Sequence, residues 1–202
     1  MRPTLDYGIG FREFLACAAA GGLIAAATFY LADAAAALAA FYLAMAMLLI
    51  MLIDARSFII PDWLSLPAIP AGVLATFAVY PAPWDELLTD RILAAAAASG
   101  FLFAVRHIHW RTRGMEGLGL GDVKLAAVAG TWLGLANLAP TCLLATVAAL
   151  AAVLIHHLKT GGSVNRTTRV PFGSFIAPAI LGVWLWHVLQ PWTVNLVSSG
   201  GG

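Results

Sequence analysis

Stretches of alanine, leucine, valine and isoleucine follow one another along almost the whole chain. They lie near residues 14–32, 34–53, 63–80, 91–109, 122–137, 139–158 and 173–190. A helix rises about 1.5 Å per residue, so roughly 20 apolar residues cross the ~30 Å hydrocarbon layer of a bilayer. A backbone inside lipid must satisfy its own amides and carbonyls, and a helix does so within each segment. Only 10% of the 202 residues are charged, and the mean hydropathy is +0.88. A soluble domain carries about 25% charged residues. The expected fold is therefore all-α, a polytopic integral membrane protein of about seven transmembrane helices (six to seven).

The breaks between the runs are short: Asp33, "DARSFIIPD", "PAPWDELLTD", "RTRGMEGLGLG", "NLAP" and "KTGGSVNRTTRVP". With no composition shift marking a second unit, residues 1–197 read as a single membrane-embedded domain, and 198–202 as a linker tail. The first run has no polar cleavage region after it, so it is expected to stay in the membrane. Cys17 and Cys142 lie within apolar runs, without a CxxC pair or a disulfide framework. The lipid bilayer is the expected environment, and no nucleic-acid partner is expected. The many alanines and glycines of the first, second, fourth and sixth runs are expected to let helices approach closely.

Charge sets the topology. With the N-terminus in the cytoplasm, Arg2, Arg12, Arg56, Arg106, Arg111, Arg113, Lys124, Lys159, Arg166 and Arg169 share one side, and Arg91 alone falls on the other. Ten of eleven basic residues on one face is the bias that marks the cytoplasmic side of an inner membrane.

That topology brings two segments to the cytoplasmic face: "LIDARSFIIPDWLSLP" at 52–67 and "GLGLGDVKLA" at 117–126. Asp54 ends one apolar run and Asp122 begins another. Carboxylates at the border of a membrane are costly unless paired, hydrated or used. Two of them within a few ångströms do not both ionise readily, so one acts as base while the other keeps its proton. Such a pair can activate water and protonate a leaving amine. Gly117, Gly119 and Gly121 would remove side chains, permit unusual backbone angles and leave room for an extended substrate.

Plainer readings stand beside these. Asp122 can cap the helix it opens, and Asp62 after Pro61 is ordinary helix-start punctuation. Asp54 is harder to explain that way, because it lies at a helix C-terminus, where the dipole disfavours an anion. Lys124 either tunes the acid pair or carries its ammonium to the headgroups, the second being the simpler reading. Glu116 and Asp62 are candidates for receiving a basic peptide, although a loop acid such as Glu116 can equally be solvated.

"GLGLGDVKLAA" resembles the GxGD signature of membrane-embedded aspartic proteases, in the form typical of type IV prepilin peptidases. "IDARSFIIPDWLSLP" is similar to the family's other aspartate block, and "RVPFGSFIAPAIL" at 169–181 to the block that opens its last helix. The resemblance implies the GxGD aspartic protease fold, with Asp54 and Asp122 as the catalytic pair, supported by Gly119, Gly121, Lys124 and Asp62. It implies an endopeptidase that cuts the basic leader from pilin, pseudopilin or archaellin-like precursors at the cytoplasmic face, without metal or organic cofactor. Longer members carry a cysteine-rich region associated with N-methylation. None is present here, so the short, peptidase-only branch is expected, without methyltransferase activity. Ser174 stands where proline is frequent in the family.

Other chemistries fit less well. His107 and His109 are two apart, and His156 and His157 adjacent, so neither pair has the HExxH spacing of a zinc site. Ser99 lacks a rhomboid-type surround, and neither lysine completes an S-x-x-K. Trp63, Trp84, Trp110 and Trp192 fall where indoles anchor spans at the interface. The rival from another class is a transporter using the two acids to carry protons or cations. Such a protein needs them reachable from both sides and nearer the midplane.

Overall fold

The computed structural model describes residues 9–80, 83–113, 119–160 and 171–190. Among them are seven α-helices: α1 (Phe11–Leu31), α2 (Ala34–Ser57), α3 (Asp62–Val79), α4 (Trp84–Arg113), α5 (Leu120–Leu133), α6 (Leu138–Thr160) and α7 (Gly173–Val188). The described residues contain no strand. Five of the helices, α1 to α4 and α6, are long and apolar enough to cross a membrane. The chain is a multi-pass, all-helical membrane protein.

Local chemistry sets the helix ends. Asp33 caps α2 by accepting the amide of Ala36 at 2.7 Å, satisfying one of the free donors of a first turn. At its other end α2 stops on Phe58, whose φ of 55° is left-handed. A non-glycine residue rarely adopts that geometry. It turns the chain towards Pro61, which precedes α3 and leaves Asp62 in the first turn. The helix α4 begins well before the expected residue 91, because Trp84, Asp85 and Glu86 of the supposed polar break form its opening turn. Acids suit a helix N-terminus, so a polar segment was still a helical one.

α2 is the most enclosed of the long helices: 56% of its most apolar stretch is buried, against 17%, 11% and 17% for α1, α4 and α6. The exposed leucines and phenylalanines of those outer helices, such as Leu23, Phe29, Phe101, Leu143 and Leu150, face the lipid that is their solvent. α5 has only 14 residues, yet Leu125, Val128, Ala129, Trp132 and Leu133 are buried. Surrounded by protein, it is free of the length requirement that lipid imposes.

The close approaches fall partly on the expected second and fourth helices and partly on the third and fifth. The alanines of α2, among them Ala40 and Ala44, are indeed packed inside. Gly22 of α1 and Gly100 of α4, however, have nothing within 4 Å of where a side chain would begin. The tight crossings use Gly130 of α5, set against the backbone of Ala94 and Ala95, and Gly72 of α3, whose missing Cβ would lie 2.7 Å from the Trp132 ring. Trp132 fills that notch and donates its indole N–H to the Ala68 carbonyl at 2.8 Å. Gly134 ends α5 with φ 74°, and Asp90 occupies the space a side chain there would need.

Candidate active site

The charged groups at one end of the bundle come from several helices. Asp54 is in the last turn of α2, and its carboxylate is buried, 5% exposed. Its own helix offers an anion nothing there but carbonyls. The compensation comes from α7. Ser174 donates its amide at 2.8 Å and its hydroxyl at 3.1 Å to Asp54 Oδ2. The N-terminus of α7 thus supplies free N–H groups and the positive end of its dipole to the carboxylate, as helix N-termini do for anions.

Asp122 lies in the first turn of α5, half-buried. One of its carboxylate oxygens lies 3.5 Å from where Gly119, the residue that caps the helix, would carry a side chain. An acid in a first turn suits the positive end of the helix dipole.

Ile60 joins the two halves. It is buried, 8% exposed, and its Cβ lies 2.8 Å from where Gly121 would carry a side chain, while its Cδ1 lies 2.9 Å from the same point on Gly173. That second point is also 2.8 Å from Asp54 Oδ2. Gly121 and Gly173 are thus small because Ile60 and Asp54 fill their space. This corrects the expectation that Gly121 opens room for substrate or takes an unusual backbone angle. It sits within α5, and among described glycines only Gly134 has a positive φ. Gly119, with φ −72°, is also ordinary extended backbone, but only the Asp122 carboxylate and the Gly121 amide approach its missing side chain, at 3.5 and 3.8 Å. It keeps its side exposed.

Lys124 has a partner that the sequence did not point to. It forms an ion pair with Asp62, tying the start of α5 to the start of α3. The two first turns lie side by side. Asp62 remains largely open, its side chain 63% exposed. A second ion pair at this end, Arg56 with Glu13, ties α2 to α1. Glu116 and Gly117, together with the tail at 198–202 and Trp192, lie outside the described residues. Among the described residues no group of three or more His, Cys, Asp or Glu is placed to hold a metal ion.

Ser174, Gly173 and Ile60 escaped reasoning from chemistry. Asp54 and Ser174 are 120 positions apart, and only the resemblance of the 169–181 block hinted that this segment mattered.

A bundle of apolar helices, five of them long enough to span a bilayer, defines a multi-pass membrane protein. Residues 41–154, which include both Asp54 and Asp122, match the type IV leader peptidase family, and the chain belongs to that family. It is 35% identical over 171 residues to a prepilin leader peptidase/N-methyltransferase of Burkholderia pseudomallei (strain K96243), covering 84% of this chain and 53% of that protein. It is 34% identical over 131 residues to one of Klebsiella pneumoniae, covering 65% and 56%. The Escherichia coli (strain K12) relative of the same name is 32% identical over 126 residues, covering 62% and 52%. The chain thus spans about half the length of these relatives. No solved structure matches it.

Proposed function

We propose that this chain is an intramembrane aspartic endopeptidase that removes the basic leader from prepilin-like precursors, with Asp54 and Asp122 as the catalytic pair. One observation carries the reading: Ile60 packs on Gly121, the neighbour of Asp122, and on Gly173 beside the Asp54 carboxylate, so two acids 68 residues apart in sequence come to the same end of the bundle. In the reaction, one carboxylate accepts a proton as water attacks the scissile carbonyl carbon. The other, as the acid, protonates the carbonyl oxygen, and the resulting tetrahedral species collapses as the amine leaves with a proton. The pair titrates as a unit, so the two roles belong to it jointly. The two donors of Ser174 hold Asp54 still, which is what a proton transfer needs of its partners.

The substrate would be a pilin, pseudopilin or archaellin-type precursor, its apolar helix in lipid and its leader junction at the aspartates. The sidedness of the basic residues supports an inner-membrane location with the N-terminus and the site on the cytoplasmic face. Asp62, exposed beside Lys124, and Glu116 are the acids proposed to meet a basic leader. The peptidase half of the relatives' printed name is the half proposed here. Cleavage without N-methylation by this chain alone is the corresponding expectation, and the mass of the mature N-terminus tests it. Both acids sit at helix ends on one side of the bundle, which does not favour the transporter reading.

The test is leader removal by the purified protein in detergent or liposomes, across a panel of precursors. Wild type should cleave, and Asp54→Asn and Asp122→Asn should each lose about a hundred- to ten-thousandfold, the range for removing a positioned acid or base. Cleavage by either folded variant at the wild-type rate would overturn the mechanism.

A further inference from the structure

The peptidase reading assigns Asp62 to a basic leader, yet in the structure Asp62 already holds a cation. Its Oδ1 is paired with the ammonium of Lys124. The pair stands beside the acids: Asp62 is two residues past Ile60, which packs on Gly121, and Lys124 is two residues past Asp122. A leader cation that reaches Asp62 therefore meets an ammonium of the enzyme's own.

Three features make that ammonium exchangeable. The Asp62 side chain is 63% exposed and that of Lys124 27%, so a cation reaches the carboxylate from its open side without unpacking a helix. Exposed ion pairs are weak, so little is lost when one cation takes another's place. Lys124 also lies near the start of α5, the end of a helix where the dipole disfavours a cation. Among the described residues Asp62 is its one ion-pair partner. The other pair at this end, Arg56 with Glu13, is built differently. Two guanidinium nitrogens take the two carboxylate oxygens, a fork that a single ammonium does not match.

We infer that Lys124 is a built-in competitor of the leader for Asp62, an inference that rests on the peptidase reading. A lysine or arginine of the leader displaces the ammonium as the precursor docks. After the cut, Lys124 returns to Asp62 and helps the freed leader off. The exchange weakens the hold on a basic leader and leaves the hold on an uncharged one as it was. Lys124 thus tunes both charge preference and product release.

The test is steady-state cleavage by the full chain in detergent, with wild type beside Lys124→Met and the Lys124→Met/Asp62→Asn double variant. One precursor carries a basic leader, and a second has the leader's lysines and arginines replaced by glutamine. The free basic leader peptide serves as inhibitor. Lys124→Met should lower KM for the basic precursor and Ki of the free leader about two- to fivefold, the reach of one exposed ion pair. KM for the neutral precursor should stay in place, and the double variant should lose the gain because the contested acid is gone. KM and Ki that hold or rise with the basic leader would overturn the inference. Equal shifts for both precursors would also overturn it, since Lys124 would then only tie α3 to α5. Should the methionine lower the melting temperature, Lys124→Gln, which keeps a hydrogen-bonding end without the charge, takes its place under the same expectations. No cleavage of either precursor by wild type would overturn the peptidase reading and this inference with it, whereas wild-type cleavage with an unmoved KM overturns the inference alone.

Discussion

Asp54 and Ser174 form the contact on which one half of the carboxylate pair rests: a single carboxylate oxygen accepts both the amide, at 2.8 Å, and the hydroxyl, at 3.1 Å, of a residue on another helix. The family resemblance put proline at this position in many members, and proline has no amide hydrogen to give. The serine therefore supplies two donors where a proline would supply none. Ser174→Ala should keep the amide bond and lose the hydroxyl, lowering cleavage by up to about tenfold with thermal stability almost unchanged. Ser174→Pro, tolerable in a first helical turn, should lower it further. Initial rates on one precursor, with the melting temperature as control, check both. Equal activity in all three proteins would show that the Ser174 donors do not position Asp54 for the reaction.

The wedge of Ile60 between Gly121 and Gly173 makes a second, sharper expectation. A methyl on Gly121 would meet the Cβ of Ile60 at 2.8 Å, a branch point that cannot swing aside. Gly121→Ala should cost about 1 to 3 kcal/mol, as overpacking does. Combining it with Ile60→Gly, which removes that Cβ, should recover part of that loss, the sign of a direct clash. Gly173→Ala differs, because its methyl meets Asp54 Oδ2 at 2.8 Å. There activity should fall further than stability. Denaturation midpoints and cleavage rates on the three single variants and the double variant decide the matter.

How much of this was legible in the sequence follows from what each feature depends on. Helix order was legible because lipid imposes a length and a composition on every span, and α7 was expected at 173–190 and found at Gly173–Val188. The start of α4 was not, since hydropathy cannot tell a polar loop from the polar first turn of a helix. Asp54 and Asp122 stood out as acids at the edges of apolar runs, and that needed no tertiary information. Ser174, Ile60 and the pairing of Lys124 with Asp62 depend on which helix ends become neighbours, and no local pattern encodes that. Arg91 reads in sequence as one more charge on the far side. Its burial appears only once α5 brings its final carbonyls beside α4.

Asp62 offers a test of leader recognition separate from chemistry. Its pair with Lys124 is exposed, and such pairs contribute about 0 to 1 kcal/mol to stability, so Asp62→Asn should melt close to wild type. If the open carboxylate also meets the leader, the same variant should raise KM for a precursor with a basic leader while kcat holds. The effect should shrink when the leader's lysines and arginines are replaced, and in high salt, which screens exposed charges. Steady-state kinetics with two leaders at two salt concentrations separate this from a purely structural role, in which KM would not depend on leader charge.

The glycines of the bundle divide into two kinds, and one substitution in each should move stability in opposite directions. Gly130 faces the backbone of Ala94, whose carbonyl carbon would lie 2.6 Å from an added methyl. A main chain cannot turn away as a side chain can, so Gly130→Ala must push α4 from α5. That separation would also draw Arg91 off the Thr131 and Trp132 carbonyls, leaving a buried guanidinium less well paired. Together these should cost upwards of about 3 kcal/mol, the range for overpacking with loss of a buried charge's partner. Gly100 of α4 has open space around it, and alanine there removes backbone freedom from the unfolded chain at no steric cost. Gly100→Ala should therefore stabilise by about 0.4 to 1 kcal/mol. Thermal unfolding of both variants in the same detergent reads the two signs directly. A neutral Gly130→Ala would mean that α4 and α5 do not cross as closely as their backbones indicate.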